Sequence, residues 1–418
     1  MKKTSWFDWL QIVLLALASP FFLFPSLKFV WIVLLLPALA LARKFLKNEF
    51  FRRTPADIPV LLLLVQTCLT FLAVDTPDQA LPKAAGLFFA VAVFYAVIAL
   101  LNTEKLLKTA TSLFLGAGCG FAAISVLGMF RKNVKNLDAL FNVSKFIPKI
   151  DYHLPGAEEG INPNPVGGIL ILFIPLFLTL LFPYLQKKNI SDRLFRKSLF
   201  SYFLGAGFFL CLGVLLLTQS RASWIALVLG CGLLFFPGRK SKKYAVILVL
   251  IFVLFYVLLI GLDKIPLSTQ IEKERLVNRM ELWDFAYETI SEHPLLGFGM
   301  NRIRQHPAVG YKLSHVHNHF LQTAAEMGIP GLIAFLSLMV ITAFMAFKTW
   351  KESQGWVRQA VLGLACGQLA HLIFGLADSI PLGAKMGLFF WLSLALITAL
   401  YLYTLRTEQI MTEKEKND

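Results

Sequence analysis

The fold of this chain is organised around one polar segment, His315-Val316-His317-Asn318-His319-Phe320-Leu321-Gln322-Thr323-Ala324-Ala325-Glu326-Met327-Gly328-Ile329-Pro330-Gly331. Three histidines at alternate positions end a long hydrophilic loop, and a hydrophobic helix begins where they stop. Almost everything else in the chain consists of apolar runs and short connections. We therefore take this segment as the candidate functional site.

The apolar runs around this segment predict the fold class. Hydrophobic residues fill 57% of the 418 positions, whereas soluble domains contain roughly 45–50%. Several runs approach the roughly 20 apolar residues that cross a bilayer as a helix. We predict an all-α polytopic membrane protein with about 12 transmembrane helices. The predicted spans cover residues 7–24, 28–42, 58–74, 84–101, 109–130, 165–185, 199–217, 222–237, 244–262, 320–348, 358–377 and 384–405.

These spans and two long loops divide the chain into six predicted regions. Apolar positions recur at helical spacing in the second loop, which predicts an amphipathic helix outside the membrane with one face on the bundle. That face would consist of Leu276, Met280, Trp283, Tyr287 and Ile290. The regions are N-terminal spans (1–130), a first long extracytoplasmic loop (131–164), central spans (165–262), a large extracytoplasmic loop with the catalytic residues (263–319), C-terminal spans (320–405) and a cytoplasmic tail (406–418).

Loop charge predicts the orientation of the chain in the membrane. With a cytoplasmic N-terminus, most of the 40 Lys and Arg residues fall in cytoplasmic segments, and each short outer loop carries a single one. This is the positive-inside pattern, and it places both termini in the cytoplasm. The net charge of +15 is then accounted for by topology. No basic surface is left over for a nucleic-acid partner, so we predict none.

His317 is the candidate for proton transfer, because an unperturbed histidine has a pKa of about 6.5. His315, His319 and Asn318 are candidate supporting residues. A simpler interpretation is that all four are polar residues at a helix start, with Asn318 as the N-cap. A zinc site would be a third interpretation, but it would need Cys, Asp or Glu ligands, and the neighbouring sequence has none at suitable spacing. We predict neither a metal nor a cofactor.

Two arginines stand where an anion could be bound. Arg221 lies between two apolar runs, and a guanidinium there either reaches the membrane edge or binds a ligand such as a phosphate. Arg279 lies four residues before Trp283, which places it on the apolar face of the predicted outer helix. The simpler interpretation of Arg279 is an ion pair with Glu272 or Glu281.

A third polar feature opens the sixth predicted span. The sequence Asn162-Pro163-Asn164-Pro165-Val166-Gly167-Gly168 predicts a rigid turn into a helix N-terminus, where N–H groups can meet an anion. Taken alone it is more simply a structural turn.

Two absences bear on function. The sequence contains no Asp-x-Asp motif, which would have indicated a nucleotide-sugar donor held by a metal. The apolar runs hold few ionisable residues, mainly His371, which argues against an ion-coupled transporter.

Taken together, these features resemble the O-antigen ligase and O-antigen polymerase superfamily of bacterial inner membranes. Its ligases show His followed by Asn, Ser or Gln, nine residues, Gly, two residues, and Gly, Thr or Tyr. His317-Asn318, Gly328 and Gly331 fit that pattern. Further similarity lies in the Arg279–Trp283 helix with segment 293–299, the Ser220-Arg221-Ala222 turn and the Asn-Pro-Asn segment.

The resemblance implies a metal-independent, inverting glycosyltransferase with a glycan on undecaprenyl pyrophosphate as donor. Arg221 and Arg279 would bind the pyrophosphate, and His317 would take the proton from an acceptor hydroxyl. A ligase acts at the outer face of the inner membrane on lipid A-core or another cell-surface acceptor, as in lipopolysaccharide biosynthesis. The alternatives are a surface polysaccharide polymerase with a second lipid-linked repeat as acceptor, a protein O-oligosaccharyltransferase, and a polysaccharide exporter.

Overall fold

The computed structural model describes residues 6–129, 161–185, 199–232, 270–303 and 315–417, and helices are the regular elements in these ranges. The predicted span 244–262 and residues 131–160 of the first long loop lie outside them. The helices are α1 (Trp6–Leu23), a 3-10 helix (Leu27–Leu34), α2 (Leu35–Lys47), α3 (Asp57–Leu72), α4 (Pro77–Leu100), α5 (Glu104–Met129), α6 (Pro163–Leu185), α7 (Leu199–Leu217), α8 (Arg221–Gly230), α9 (Gln270–Glu292), α10 (His319–Glu352), α11 (Gly355–Phe374) and α12 (Gly387–Asn417).

The described helices confirm an all-α polytopic membrane protein. The predicted spans 58–74 and 222–237 correspond to the shorter apolar helices α3 and α8. In the described part of the chain, nine helical stretches are long and apolar enough to cross a membrane: Trp6–Leu23, Lys28–Lys47, Pro77–Leu100, Glu104–Val126, Pro163–Tyr184, Leu199–Leu217, His319–Glu352, Gly355–Phe374 and Gly387–Glu413.

The bundle is built around α6 and carries apolar side chains on its outside. Every residue from Val166 to Phe177 is buried, as expected of a helix that is hydrophobic all round and enclosed by neighbours. α6 packs against α7 and α11, and α12 packs against α4. α3 is a peripheral helix, in contrast to the enclosed α6: it exposes apolar residues and buries polar ones. Its exposed residues include Leu61, Leu62, Val65, Leu69 and Leu72, and its buried ones include Gln66, Thr67 and Thr70.

α10 is interrupted at Gly328, where the backbone has a φ of +70°. A Cβ atom at this position would lie 2.5 Å from the carbonyl oxygen of Leu295, so only glycine fits. The interruption exposes backbone groups, and the carbonyl oxygen of Ala325 accepts a hydrogen bond from Phe298 N–H at 2.7 Å. Segment 293–299 therefore docks on the break through its backbone. This close approach gives a physical reason for glycine at position 328.

The outer helix α9 begins and ends at Gln270 and Glu292, but the apolar face proposed from its sequence is partly wrong. Met280 and Tyr287 are exposed, at 63% and 59% of their full surface. The buried residues are instead Leu282, Phe285, Ala286 and Thr289. The predicted stripe was rotated because Met280 and Tyr287 were counted as inward-facing, whereas the small Ala286 and the polar Thr289 are the residues that are almost fully buried.

The expectation that the apolar runs hold few ionisable residues is also wrong. Asp8 of α1 and Arg43 of α2 are buried and form an ion pair at 3.0 Å. Lys83 of α4 pairs with Glu326 of α10, and both residues lie in candidate membrane spans. In each ion pair, opposite charges from two helices offset each other's desolvation cost. Because the partners are far apart in the chain, neither ion pair is visible as a charge cluster in the sequence.

Candidate active site

The segment before α10 and the loop after α11 bring two histidines and one carboxylate together. His315 Nε2 lies 3.0 Å from Asp378 Oδ1, and His317 Nδ1 lies 3.1 Å from the same oxygen. The N–H of Ser379 donates a third hydrogen bond to that oxygen at 2.8 Å. Asp378 is buried, whereas both histidines are partly exposed. The carboxylate is therefore enclosed, while the imidazole rings remain accessible.

The backbone that presents His317 is held in an unusual conformation. Its φ of +54° is in the left-handed region, which costs a non-glycine residue on the order of 1–3 kcal/mol. The next residue stabilises the turn, because Asn318 Oδ1 accepts hydrogen bonds from the N–H groups of Phe320 and Leu321 at 3.0 and 3.1 Å. The expectation that Asn318 is the N-cap of this helix is confirmed.

Val316, between the two histidines, points into the protein and anchors the segment, whereas the two histidines are partly exposed. It is fully buried in a cluster that includes Phe285 and Ala286 of α9. Its carbonyl oxygen accepts a hydrogen bond from Trp283 Nε1 at 3.1 Å. The candidate supporting residue Trp283 therefore contacts the site through the backbone of Val316, and α9 packs against α10 at this point.

The carboxylate sets the hydrogen positions on the histidines. Burial raises the pKa of Asp378, but the hydrogen bonds from His315 and His317 together outweigh that effect, and the pKa lies well below its usual value. An ionised carboxylate only accepts hydrogen bonds, so His317 carries its hydrogen on Nδ1. The lone pair of Nε2 is then available to take a proton. This Asp–His pairing is the arrangement that orients a histidine general base.

The same three side chains form the one metal-type cluster among the described residues. Their ligand atoms lie within 4.8 Å of one another. Asp378 Oδ2 is buried and has no hydrogen-bond partner in the described part of the chain, so the carboxylate keeps acceptor capacity. The donor set of two imidazoles and one carboxylate suits zinc. The expectation that no acidic ligand lies near the histidines is therefore wrong, because Asp378 is distant in sequence and adjacent in space.

His319 is separated from the other two histidines. It is buried at the first turn of α10, and its ring packs edge-to-face on Phe335 with centroids 4.8 Å apart. The backbone N–H of His319 donates a hydrogen bond to the carbonyl oxygen of Gly375 at 2.6 Å, and this bond joins the start of α10 to the end of α11. This contact brings the loop that carries Asp378 beside His317. His319 thus contributes to the packing that builds the site.

The candidate arginines come from two other elements. Arg221 is exposed and is the first residue of α8. Arg279 is partly buried, three residues before Leu282 and seven before Ala286, which continues the buried face of α9. Arg221 therefore follows the turn in which it was expected and is already helical, whereas Arg279 agrees with the expectation that it is on the side of α9 that faces the bundle.

The Asn-Pro-Asn segment forms the start of α6, as predicted. Asn162 Oδ1 accepts a hydrogen bond from Asn164 N–H at 3.1 Å, and Asn164 is partly buried. A Cβ atom on Gly167 would lie 2.4 Å from Ser223 Oγ, so the first turns of α6 and α8 are in close contact. The beginnings of α6, α8 and α10 and the end of α11 therefore lie at one face of the bundle.

Asp378 is the site residue that sequence reasoning missed. It lies in the short connection between the last two predicted spans, and nothing in its neighbours suggests a role. One signal was available: the topology inferred from loop charge places this connection on the same face as His317. A buried acidic residue facing a histidine is then possible, but the contact itself depends on how α10 packs against α11.

Comparison with known protein families identifies one matching family model. Residues 206–336 match the family model Wzy_C, described as O-Antigen ligase. The matched region covers less than half of the chain but includes Arg221, Arg279 and His317. The predicted resemblance to the O-antigen ligase superfamily is confirmed, and the match supports a ligase- or polymerase-type glycosyltransferase role. No curated protein matches the chain.

Proposed function

We propose that this protein is an O-antigen-ligase-type enzyme that transfers a glycan from undecaprenyl pyrophosphate to an acceptor hydroxyl, at the outer face of a bacterial inner membrane. The acceptor is lipid A-core or another cell-surface molecule. The observation that carries the proposal is the hydrogen bond between His317 Nδ1 and Asp378 Oδ1 at 3.1 Å. It leaves a free nitrogen on an accessible imidazole at the entrance of a membrane bundle, where a lipid-borne donor and a polar acceptor can meet.

The reaction needs one base and no redox partner. His317 Nε2 removes the proton from the acceptor hydroxyl while that oxygen bonds to the anomeric carbon of the donor. The bond from the anomeric carbon to the pyrophosphate oxygen breaks, and undecaprenyl pyrophosphate leaves with the electron pair. A single displacement inverts the anomeric configuration. Asp378 stabilises the imidazolium that forms, because it is ionised and shares a hydrogen bond with the ring.

The leaving pyrophosphate needs positive charge, which Arg221 and Arg279 would supply. Guanidinium groups bind phosphate oxygens through paired N–H donors and stay charged at all relevant pH values. Arg221 also stands at the N-terminus of α8, where unpaired backbone N–H groups favour anions. Asn164 at the start of α6 lies at the same face, beside the first turn of α8.

The test of the base is His317→Ala in the full-length protein. Loss of a general base typically lowers the rate about 10²–10⁴-fold. Transfer from the undecaprenyl pyrophosphate-linked glycan of the parent strain would be measured, together with protein level and membrane insertion. The matched control is His293→Ala, which removes an exposed histidine outside the site. Wild-type turnover by His317→Ala would refute the assignment, and loss of wild-type activity in EDTA would instead favour a metal held by the His–His–Asp cluster.

The test of donor binding is replacement of each arginine. A charge-assisted hydrogen bond contributes about 1.5–3 kcal/mol, so Arg221→Ala and Arg279→Ala should each weaken donor use roughly ten- to a hundredfold. Lysine at either position should restore only part of the activity, because it keeps the charge without the forked donors. Arg275→Ala, one turn earlier on α9, is the control. An equal loss there would mean that α9 is a general docking element.

The glycan profile of a deletion strain separates the acceptor classes. Long chains left on the lipid carrier would support a ligase, and single repeats alone would support a polymerase.

The proposed orientation, with both termini in the cytoplasm, predicts that a reporter fused at Lys273 is extracytoplasmic. The opposite result would remove the site from the face where the donor glycan is presented.

A further inference from the structure

Two ionisable side chains from different candidate spans meet inside the bundle. Glu326 of α10 is buried, and Lys83 of α4 donates a hydrogen bond from Nζ to Glu326 Oε1. Charged groups within membrane spans are costly and are commonly retained for a function. The mechanism proposed above uses neither residue, and neither belongs to the His–His–Asp cluster. The question is what this ion pair holds in place.

Glu326 fixes the orientation of a neighbouring amide. Its Oε1 atom accepts three hydrogen bonds, from Lys83 Nζ, from the N–H of Asn301 at 2.9 Å and from Gln322 Nε2 at 2.6 Å. Gln322 lies one turn before Glu326 on α10 and is buried. Because its NH₂ group donates to the carboxylate, its carbonyl oxygen Oε1 must point the other way.

That carbonyl oxygen reaches the backbone between the two histidines. Gln322 Oε1 accepts a hydrogen bond from Val316 N–H at 2.8 Å. The carbonyl oxygen of Val316 is already bonded to Trp283 Nε1. Both backbone polar groups of Val316 are therefore fixed by side chains, one from α9 and one from α10. A residue held at both groups cannot rotate without breaking a buried hydrogen bond.

The same turn of α4 also supports the loop that carries Asp378. A Cβ atom on Gly383 would lie 1.8 Å from the carbonyl oxygen of Lys83, so the loop and the helix backbone are in direct contact there. Lys83 thus touches Glu326 through its side chain and the Asp378 loop through its backbone. Both halves of the Asp–His pair are located relative to one turn of one helix.

We propose that Lys83, Glu326 and Gln322 are positioning residues for the transfer reaction. Lys83 neutralises Glu326, Glu326 orients the amide of Gln322, and Gln322 holds the backbone that places His317 against Asp378. None of the three needs to touch the substrate. The inference rests on the proposed function, because it assumes that the residue these three side chains position, His317, is the base.

The central experiment compares three variants of the full-length protein. Gln322→Met keeps the size of the side chain but removes both of its hydrogen bonds. Glu326→Gln removes the negative charge that pairs with Lys83, while its amide oxygen can still accept a hydrogen bond from Gln322. Lys83→Met/Glu326→Gln removes both charges and keeps an oxygen that can accept from Gln322. Thr342→Val is the matched control, since Thr342 is buried on the same helix and, among the described residues, its hydroxyl donates to its own helix carbonyl at Leu338.

The first readout is amide hydrogen exchange of the peptide that contains Val316, which does not depend on activity. Gln322→Met should speed this exchange at least about tenfold, the scale of one lost hydrogen bond, and Glu326→Gln should speed it less, because its amide oxygen can still accept from Gln322. Thr342→Val should leave it unchanged. Unaltered exchange at Val316 in Gln322→Met would overturn the proposal, because the linkage would then not hold the histidine segment.

The second readout is the kinetics of transfer from the undecaprenyl pyrophosphate-linked glycan of the parent strain. A positioning role predicts that kcat falls about tenfold in Gln322→Met and Glu326→Gln, with the donor KM within about twofold. The double variant should recover most of the loss of Glu326→Gln, because no unpaired charge remains. A raised donor KM with normal kcat would overturn the proposal and indicate that Lys83 or Glu326 binds substrate. A wild-type protein without transfer would refute the proposed function, and exchange would still decide the linkage to Val316.

Discussion

Two buried carboxylates stand on either side of the histidine segment, and their partners differ in kind. Asp378 receives three hydrogen bonds on Oδ1, two from imidazoles and one from the N–H of Ser379. Glu326 also receives three on Oε1, from Lys83, from the amide of Gln322 and from the N–H of Asn301. Each charge is compensated on one oxygen. Only Asp378 is paired with imidazoles, the side chains that most often accept and release protons in catalysis.

This difference separates chemistry from support within one site. An imidazole bound to a carboxylate can accept a proton on its other nitrogen, and the carboxylate then stabilises the positive charge. A lysine bound to a carboxylate fixes geometry but offers no free acceptor nitrogen. The chain therefore places the imidazole–carboxylate pair where the rings are accessible and the lysine–carboxylate pair between α4 and α10.

The sharpest way to break this comparison is Asp378→Asn beside Glu326→Gln. The new amide at position 378 can donate to the imidazole and favour the wrong tautomer, so kcat should fall about 10²–10⁴-fold. Glu326→Gln should cost only about tenfold, the scale of one hydrogen bond. Steady-state transfer rates on matched amounts of folded protein would be compared. Equal losses in the two variants would mean that both carboxylates act in the same way.

The smallest effect is expected for His315→Gln. His315 donates to the same oxygen as His317, but its loss leaves the bonds from His317 and Ser379 in place. Glutamine can still donate to Asp378, so kcat should fall no more than about fivefold, less than one lost hydrogen bond. If His315→Gln is as inactive as His317→Ala, His315 shares the proton transfer and the assignment of a single base is incorrect.

Residues whose role depends on their neighbours in the sequence were the easiest to predict. The family pattern includes Asn318 and Gly328, which both act on the adjacent helix: Asn318 caps the helix that follows it, and Gly328 interrupts the same helix. Arg279 was placed correctly on the buried side of α9 from its spacing to Ala286. Met280 and Tyr287 were misplaced, because periodicity alone does not distinguish a large residue at the edge of a buried face from a small one at its centre.

The sequence by itself determined the membrane-protein class and the helical segments with their ends near proline and glycine, and it selected the histidine segment as the candidate site. These features depend on local composition and on spacing within a helix. The tertiary structure alone decided that Asp378 lies within hydrogen-bonding distance of His317, that Glu326 and Lys83 form an ion pair, and that His319 packs in the core. Asp378 is 61 residues from His317 and Lys83 is 243 from Glu326. No local pattern connects residues so far apart, because their contact follows from how α4, α10 and α11 pack.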